Sequence, residues 1–282
     1  MGISLITFAG LAAILCVTSY AVNGTVRRWD QFYIWKVFSG KAHGGQQIHI
    51  DNVSIYCETY GAGPTVLVLH GGLGYIEDMS YQIRELAKSH FVIAVDSRGH
   101  GRSTDGNGSL NYSLMSDDMA KVLDHLKVDR VDVVGWSDGG IIGLDLAMRH
   151  PERVRRLVAI SANYNVDGLG YVPSVGEVPR TALRYWLVAP NPAQWPTLYR
   201  KVVTMWGTQP HYSLNDLGQI KAPTLIMAGE YDLIKREHTD QLAKAIPGSQ
   251  ESIIAGATHA VPIEKPEIVD SEILNFLDAP NP

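Results

Sequence analysis

The sequence predicts an α/β domain, a mostly parallel β-sheet with helices on both faces. Three observations predict it. Strand-like and helix-like segments alternate along most of the chain, the order a parallel sheet requires. Residues 65–69, Thr-Val-Leu-Val-Leu, form a continuous apolar run, as expected of a strand buried on both faces. Residues 131–143 read as a β-branched strand, a one-residue corner and a helix, with Gly135, Ser137 and Gly139 in the pattern G-x-S-x-G. A chain of 282 residues suits one such domain with additions, and 45% hydrophobic content is enough for a large core.

Residues 3–22 carry no charge and stand apart from the fold, so residues 1–22 read as a signal peptide or a membrane anchor. Ser19-Tyr20-Ala21 has the small-x-small form of a cleavage site. Against export, no Lys or Arg precedes Arg27, while Arg27, Arg28, Lys36 and Lys41 all follow the apolar run. By the positive-inside bias this pattern suits an anchor with the rest of the chain cytoplasmic. Export to the periplasm or medium is the reading taken, with the anchor and membrane association through residues 3–22 as the alternative. Residues 23–45 read as a linker or N-terminal arm, rich in aromatic residues (Trp29, Phe32, Tyr33, Trp35 and Phe38).

The core is expected over residues 46–161 and 223–282. Residues 48–50 and 53–60 alternate around Asp51-Asn52, as in an edge hairpin. A helix is expected over 76–88, a buried strand over 91–95 and an amphipathic helix over 114–126. After the 131–134 strand, a helix runs from Ile141 until His150-Pro151 stops it. A strand follows over 154–160. Residues 162–222 break the alternation with six prolines (173, 179, 190, 192, 196, 210) and many aromatic residues. They read as a compact insertion with short helices near 181–188 and 195–205. Order returns with a strand at 224–228, a helix at 235–246, a strand at 251–254 and a closing helix at 267–277.

Net charge is −5, so no basic excess points to nucleic acid. The two cysteines, Cys16 and Cys57, form neither a disulfide framework nor a metal-type spacing. Cys57 falls in a strand and reads as a small buried hydrophobe. No metal and no cofactor are expected, and oligomeric state is not readable.

The chemistry is expected at the G-x-S-x-G corner. That pattern lifts a serine hydroxyl clear of the backbone, because a Cβ at either glycine would collide with the neighbouring strand or helix. A serine needs a base, and His259 lies in a loop just past the last strand, at a carboxyl end like that of Ser137. The histidine needs an acid. Asp232 follows the strand ending at Ala228, with Glu230 as the main competitor and Asp167 as a weaker one. Two N–H donors are needed for an oxyanion. Asp138 supplies one, and the glycine-rich turn His70-Gly71-Gly72-Leu73-Gly74 supplies the other, from Gly72 first and Leu73 next. His70 reads as a structural hydrogen-bonder at the strand end. Leu73, Tyr164, Trp186 and Trp206 are candidates for substrate contact. The Asp138 side chain is a candidate for attracting a cationic substrate.

Together, His70-Gly71-Gly72, Asp96-Ser97-Arg98-Gly99-His100-Gly101-Arg102-Ser103, Gly135-Trp136-Ser137-Asp138-Gly139-Gly140, Gly229-Glu230-Tyr231-Asp232 and Gly256-Ala257-Thr258-His259 resemble the α/β-hydrolase superfamily, from about residue 46 to the C-terminus. The elbow is similar to that of valacyclovir hydrolase (biphenyl hydrolase-like) esterases, and less closely to that of enol-lactone hydrolases. The resemblance implies an α/β-hydrolase fold with an eight-stranded sheet, the second strand alone antiparallel. It implies that the 162–222 insertion is a small helical cap and that residues 96–103 form a structural turn. Relatives that act on halides and epoxides carry aspartate at the elbow, where this chain has Ser137. The expected activity is a serine hydrolase acting on a small-molecule carboxylic ester, lactone, thioester or amide. The alternatives are a C–C hydrolase or acyltransferase with the same residues, and a non-catalytic receptor on this fold.

Overall fold

The computed structural model describes residues 25–172 and 181–280. The expected signal or anchor at 1–22, with Cys16, lies outside the described residues. No helix among the described residues is long and apolar enough to cross a membrane. The chain divides into two compact units, Met1–Ala42 and His43–Pro282.

In the first unit, residues expected as an irregular linker form helix α1 (Thr25–Phe38). Trp29, Phe32, Trp35 and Phe38 recur every third residue, a spacing that suits a helix better than a linker. The Phe32 and Trp35 rings stack with centroids 5.8 Å apart. The sheet also starts earlier than residue 46, with β1 at Ala42–Ile50.

The second unit is built on an eight-stranded sheet. Its other strands are β2 (Val53–Gly61), β3 (Thr65–Leu69), β4 (Phe91–Asp96), β5 (Val131–Trp136), β6 (Val154–Ile160), β7 (Thr224–Tyr231) and β8 (Gln250–Thr258). The spatial order is β1-β2-β4-β3-β5-β6-β7-β8. β2 runs antiparallel to β4, and the pairs from β4 through β8 are all parallel. The central strands are buried along nearly their whole length, so their apolar runs carry no polar alternation. Cys57 is buried in β2.

Helices α2 (Ser80–Leu86), α3 (Tyr112–His125), α4 (Asp138–Arg149), α8 (Arg236–Ala245), α9 (Val261–Glu264) and α10 (Pro266–Leu277) complete the core. The single helix expected over 76–88 is split, because a 3₁₀ turn at Ile76–Met79 precedes α2. The Ile76 N–H donates to Asp96 Oδ1 at 2.8 Å and ties that turn to the end of β4. The Asp96–Ser103 segment is a structural corner. Asp96 Oδ2 accepts from the Arg102 N–H and guanidinium, and Arg98 is paired with buried Asp118.

Within residues 162–222 lie α5 (Thr181–Val188), α6 (Trp195–Thr208) and α7 (Leu214–Leu217). α6 runs three residues beyond its expected end. Lys201 binds Asp105 at 2.6 Å and the Tyr212 hydroxyl donates to Asp145 at 2.7 Å, so donors of this segment meet carboxylates of the core.

The elbow between β5 and α4 decides where the rest must fit. A Cβ on Gly135 would collide with the Gly139 carbonyl, and one on Gly139 with the carbonyls of Leu69 and His70. The side chain expected to cost least at either position is therefore absent altogether. Gly135→Ala is expected to cost about 1–3 kcal/mol by overpacking. Urea unfolding checks this as a lowered midpoint with unchanged slope. A midpoint equal to that of the unaltered protein would mean the turn has slack.

Candidate active site

Ser137 is the first residue beyond β5 and sits at φ 55°, ψ −118°, a conformation that L side chains rarely adopt. Its carbonyl accepts from the Ile141 N–H, so α4 begins directly behind it. The helix starts at Asp138, three residues before the expected Ile141.

β7 and β8 are both longer than expected, and their ends are in register. Tyr231 pairs with Thr258, so Asp232 and His259, each the first residue beyond its strand, emerge side by side. His259 Nδ1 lies 2.7 Å from Asp232 Oδ1, and His259 Nε2 lies 2.9 Å from Ser137 Oγ. A carboxylate only accepts, so the proton is on Nδ1 and the Nε2 lone pair faces the serine hydroxyl. Burial would raise the Asp232 carboxyl. Hydrogen bonds from His259, the Ile234 N–H and the Ser161 hydroxyl outweigh it and hold the group below its usual value. Glu230 instead accepts from the Gly256 N–H on the exposed side of the strand. Asp167 lies at a separate hollow with Lys235 and His238.

Ser137 and His259 open onto a cavity of about 220 Å³. Gly71, Gly72, Asp138 and Asn163 line it with Trp136, Leu169, Tyr171, Val172, Trp206 and Leu233. His70 orders its glycine-rich edge. Its Nε2 accepts from the Ser97 N–H at 3.0 Å, so its proton is on Nδ1, which donates to the Gly71 carbonyl at 2.7 Å. Burial lowers the His70 pKa and keeps it in this neutral form. The Gly74 N–H donates to the same carbonyl at 3.1 Å. A peptide unit is planar and trans, so fixing the Gly71 carbonyl also fixes the direction of the Gly72 N–H. His70 thus has the structural role its strand-end position suggests.

A family model described as alpha/beta hydrolase fold matches residues 64–191. The chain is 31% identical over 257 residues to 2-hydroxy-6-oxo-2,4-heptadienoate hydrolase of Pseudomonas putida, a match covering 78% of this chain and 91% of that protein. The chain belongs to the α/β-hydrolase family. Human serine hydrolase BPHL is 28% identical over 232 residues, covering 76% of this chain and 79% of that protein. Among solved structures, Est816, described as an N-acyl homoserine lactone degrading enzyme, superposes with a TM-score of 0.69 at 27% identity. That match covers 82% of this chain and all of that one.

In this α/β hydrolase the expected substrate contacts divide. Trp206 lines the cavity, and its Nε1–H donates to Asp138 Oδ1 at 2.9 Å. Asp138 is buried and also accepts from the Tyr112 hydroxyl at 3.0 Å. Its side chain therefore has partners within the fold, and burial pushes its carboxyl up to about 6. The other three candidates are corrected. Leu73 is buried in the hydrophobic core. Tyr164 stacks on His238 with centroids 3.9 Å apart and belongs to the hollow beside α8. Trp186 is 64% exposed, because α5 buries Tyr185 instead. Sequence reasoning assigned no function to Trp136, whose indole N–H holds the His259 carbonyl at 2.8 Å. It also missed Ser161, whose hydroxyl donates to Asp232 Oδ2 at 2.5 Å. Ser161 is the first residue beyond β6, and that strand-end position was the available signal.

The depressed Asp232 carboxyl links stability to pH. Its contribution is present above the usual carboxylate value of 3.8 and is lost as pH falls through the lower folded value. The stability gap between the unaltered protein and Asp232→Asn is expected to be full at neutral pH and to shrink in acid. Urea unfolding at both pH values measures it, and a gap that widens in acid would contradict the assignment.

Proposed function

We propose that this hydrolase cleaves small carboxylic esters through an acyl-enzyme on Ser137. The observation that carries the reading is the unbroken hydrogen-bonded line from the Ser137 hydroxyl through His259 to Asp232, which opens onto the cavity. Ser137 Oγ attacks the carbonyl carbon while His259 Nε2 takes its proton. The N–H groups of Gly72 and Asp138 receive the oxygen as it gains charge. When the C–O bond breaks, the imidazolium returns the proton to the departing alkoxide. Water then attacks the acyl-enzyme by the same route and releases the acid. Asp232 holds the imidazole in the required tautomer and balances its charge. The mainly apolar walls and a volume under the ~300–1,000 Å³ of drug-sized pockets favour a small apolar acyl group.

Hydrolysis of a C–C bond beside a ketone is the second reading, supported by the name of the Pseudomonas putida relative. The same three residues serve it, and product analysis with a vinylogous diketone separates the two.

Ser137→Ala is expected to lower kcat on p-nitrophenyl acetate by about 10⁴–10⁶. Asp232→Asn is expected to cost about 10⁴ through the wrong tautomer, while Glu230→Gln stays near the parent rate. Near-parental turnover by Ser137→Ala would end the acyl-enzyme reading. A crippled Glu230→Gln would reassign the acid.

A further inference from the structure

We infer that Arg184 is a positioning residue for the Gly71–Gly72 peptide, through which α5 governs the competence of the site. The inference rests on the ester-hydrolase reading, since it takes the Gly72 N–H as an oxyanion donor. Residues 71–75 fold around the carboxylate of Asp78. The Tyr75 N–H donates to Asp78 Oδ2 at 3.3 Å. A Cβ on Gly74 would lie 2.7 Å from that oxygen and 2.9 Å from the Gly71 carbonyl oxygen, so carboxylate, Gly74 and Gly71 are in direct succession. The Gly74 N–H in turn holds the Gly71 carbonyl, the other end of the peptide whose N–H is Gly72.

Asp78 is buried, and the Arg184 guanidinium pairs with its Oδ1. The same guanidinium lies 5.1 Å from the centre of the Tyr75 ring. Arg184 sits on α5, in the segment that breaks the core alternation, whereas Asp78 and Tyr75 belong to the core. A buried carboxylate stripped of its cation is costly. Beside the donor peptide, its negative charge would also oppose the charge developing on the substrate oxygen. Arg184 removes both effects and makes the shape of the donor loop depend on where α5 sits. Asp78 and Tyr75, the partners it meets in the core, stand behind the described residues that line the cavity, so it acts through Asp78 and the loop.

Phosphonylation of Ser137 by a fluorophosphonate probe reads the donors without knowledge of the natural substrate, because the phosphonyl oxygen occupies the oxyanion position. Arg184→Ala is expected to slow labelling about 10–100-fold and to lower kcat on p-nitrophenyl acetate by a like factor, with KM changed less than about threefold. Arg184→Lys should keep most of the rate. The double variant Arg184→Ala with Asp78→Asn should regain about tenfold over Arg184→Ala, since removing the charge removes the need for its partner. All rates are taken per folded molecule, a quantity that a residue serving only to hold the fold would leave unchanged, and Arg184→Lys and the charge-neutral double variant carry the test should Arg184→Ala fail to fold. Equal labelling of Arg184→Ala and the unaltered protein would overturn the inference while leaving the ester-hydrolase reading standing. So would a change in KM alone, or a double variant no faster than the single one. No labelling of the unaltered protein would overturn both.

Discussion

A single strained residue between two glycines governs this molecule. Ser137 holds a positive φ that costs on the order of 1–3 kcal/mol, and it persists because β5, β3 and α4 close on it from all sides. That closure is possible only where Gly135 and Gly139 leave room for neighbouring carbonyls. The strain sets the hydroxyl above the sheet edge. It also starts α4 immediately behind the serine, with Asp138, the first residue of the helix, lining the cavity.

Strand register extends the same constraint sideways. Trp136 pairs with Ile160, Ile160 with Met227, and Tyr231 with Thr258. Four strands therefore release Ser137, Ser161, Asp232 and His259 along one edge of the sheet, and the four side chains meet through hydrogen bonds of 2.5–2.9 Å. Trp136 adds a clamp from the end of β5 to the His259 backbone. The parallel sheet is in this sense the positioning device, and the loops after it need only be short.

The segment over residues 162–222 is bound to the core by a recurring chemistry. Its donors (Arg184, Lys201, Trp206 and Tyr212) meet carboxylates of the core (Asp78, Asp105, Asp138 and Asp145). Carboxylates removed from water need such partners. The segment thus completes core groups that would otherwise be buried and underserved, and two of these ties, at Asp138 and Asp78, adjoin the glycine-rich turn and the elbow that line the cavity. Apolar packing supplies the cavity walls, while these polar ties set where the walls stand.

Much of this was legible in the chain. Apolar runs and period changes marked the strands and helices, and G-x-S-x-G with strand before and helix after marked the elbow. The positions of Asp232 and His259 just past strands marked their common rim. Misreadings fell where local pattern and tertiary contact part. The helix over 25–38 was hidden by a composition that resembled an arm, and the turn at 76–79 was tightened by a bond to Asp96 from a distant strand. Tyr164 and Trp186 have the right chemistry for a pocket wall, but His238 draws the first away and α5 turns the second outward. What the sequence determined by itself was the class of fold and the three side chains that meet at one rim of its sheet, because steric need and chemical type are local properties. Which aromatic residues line the cavity, that Ser161 supports Asp232, and that Arg184 answers Asp78 were decided only in three dimensions. Those facts depend on side-chain direction and on contacts between residues up to about a hundred positions apart.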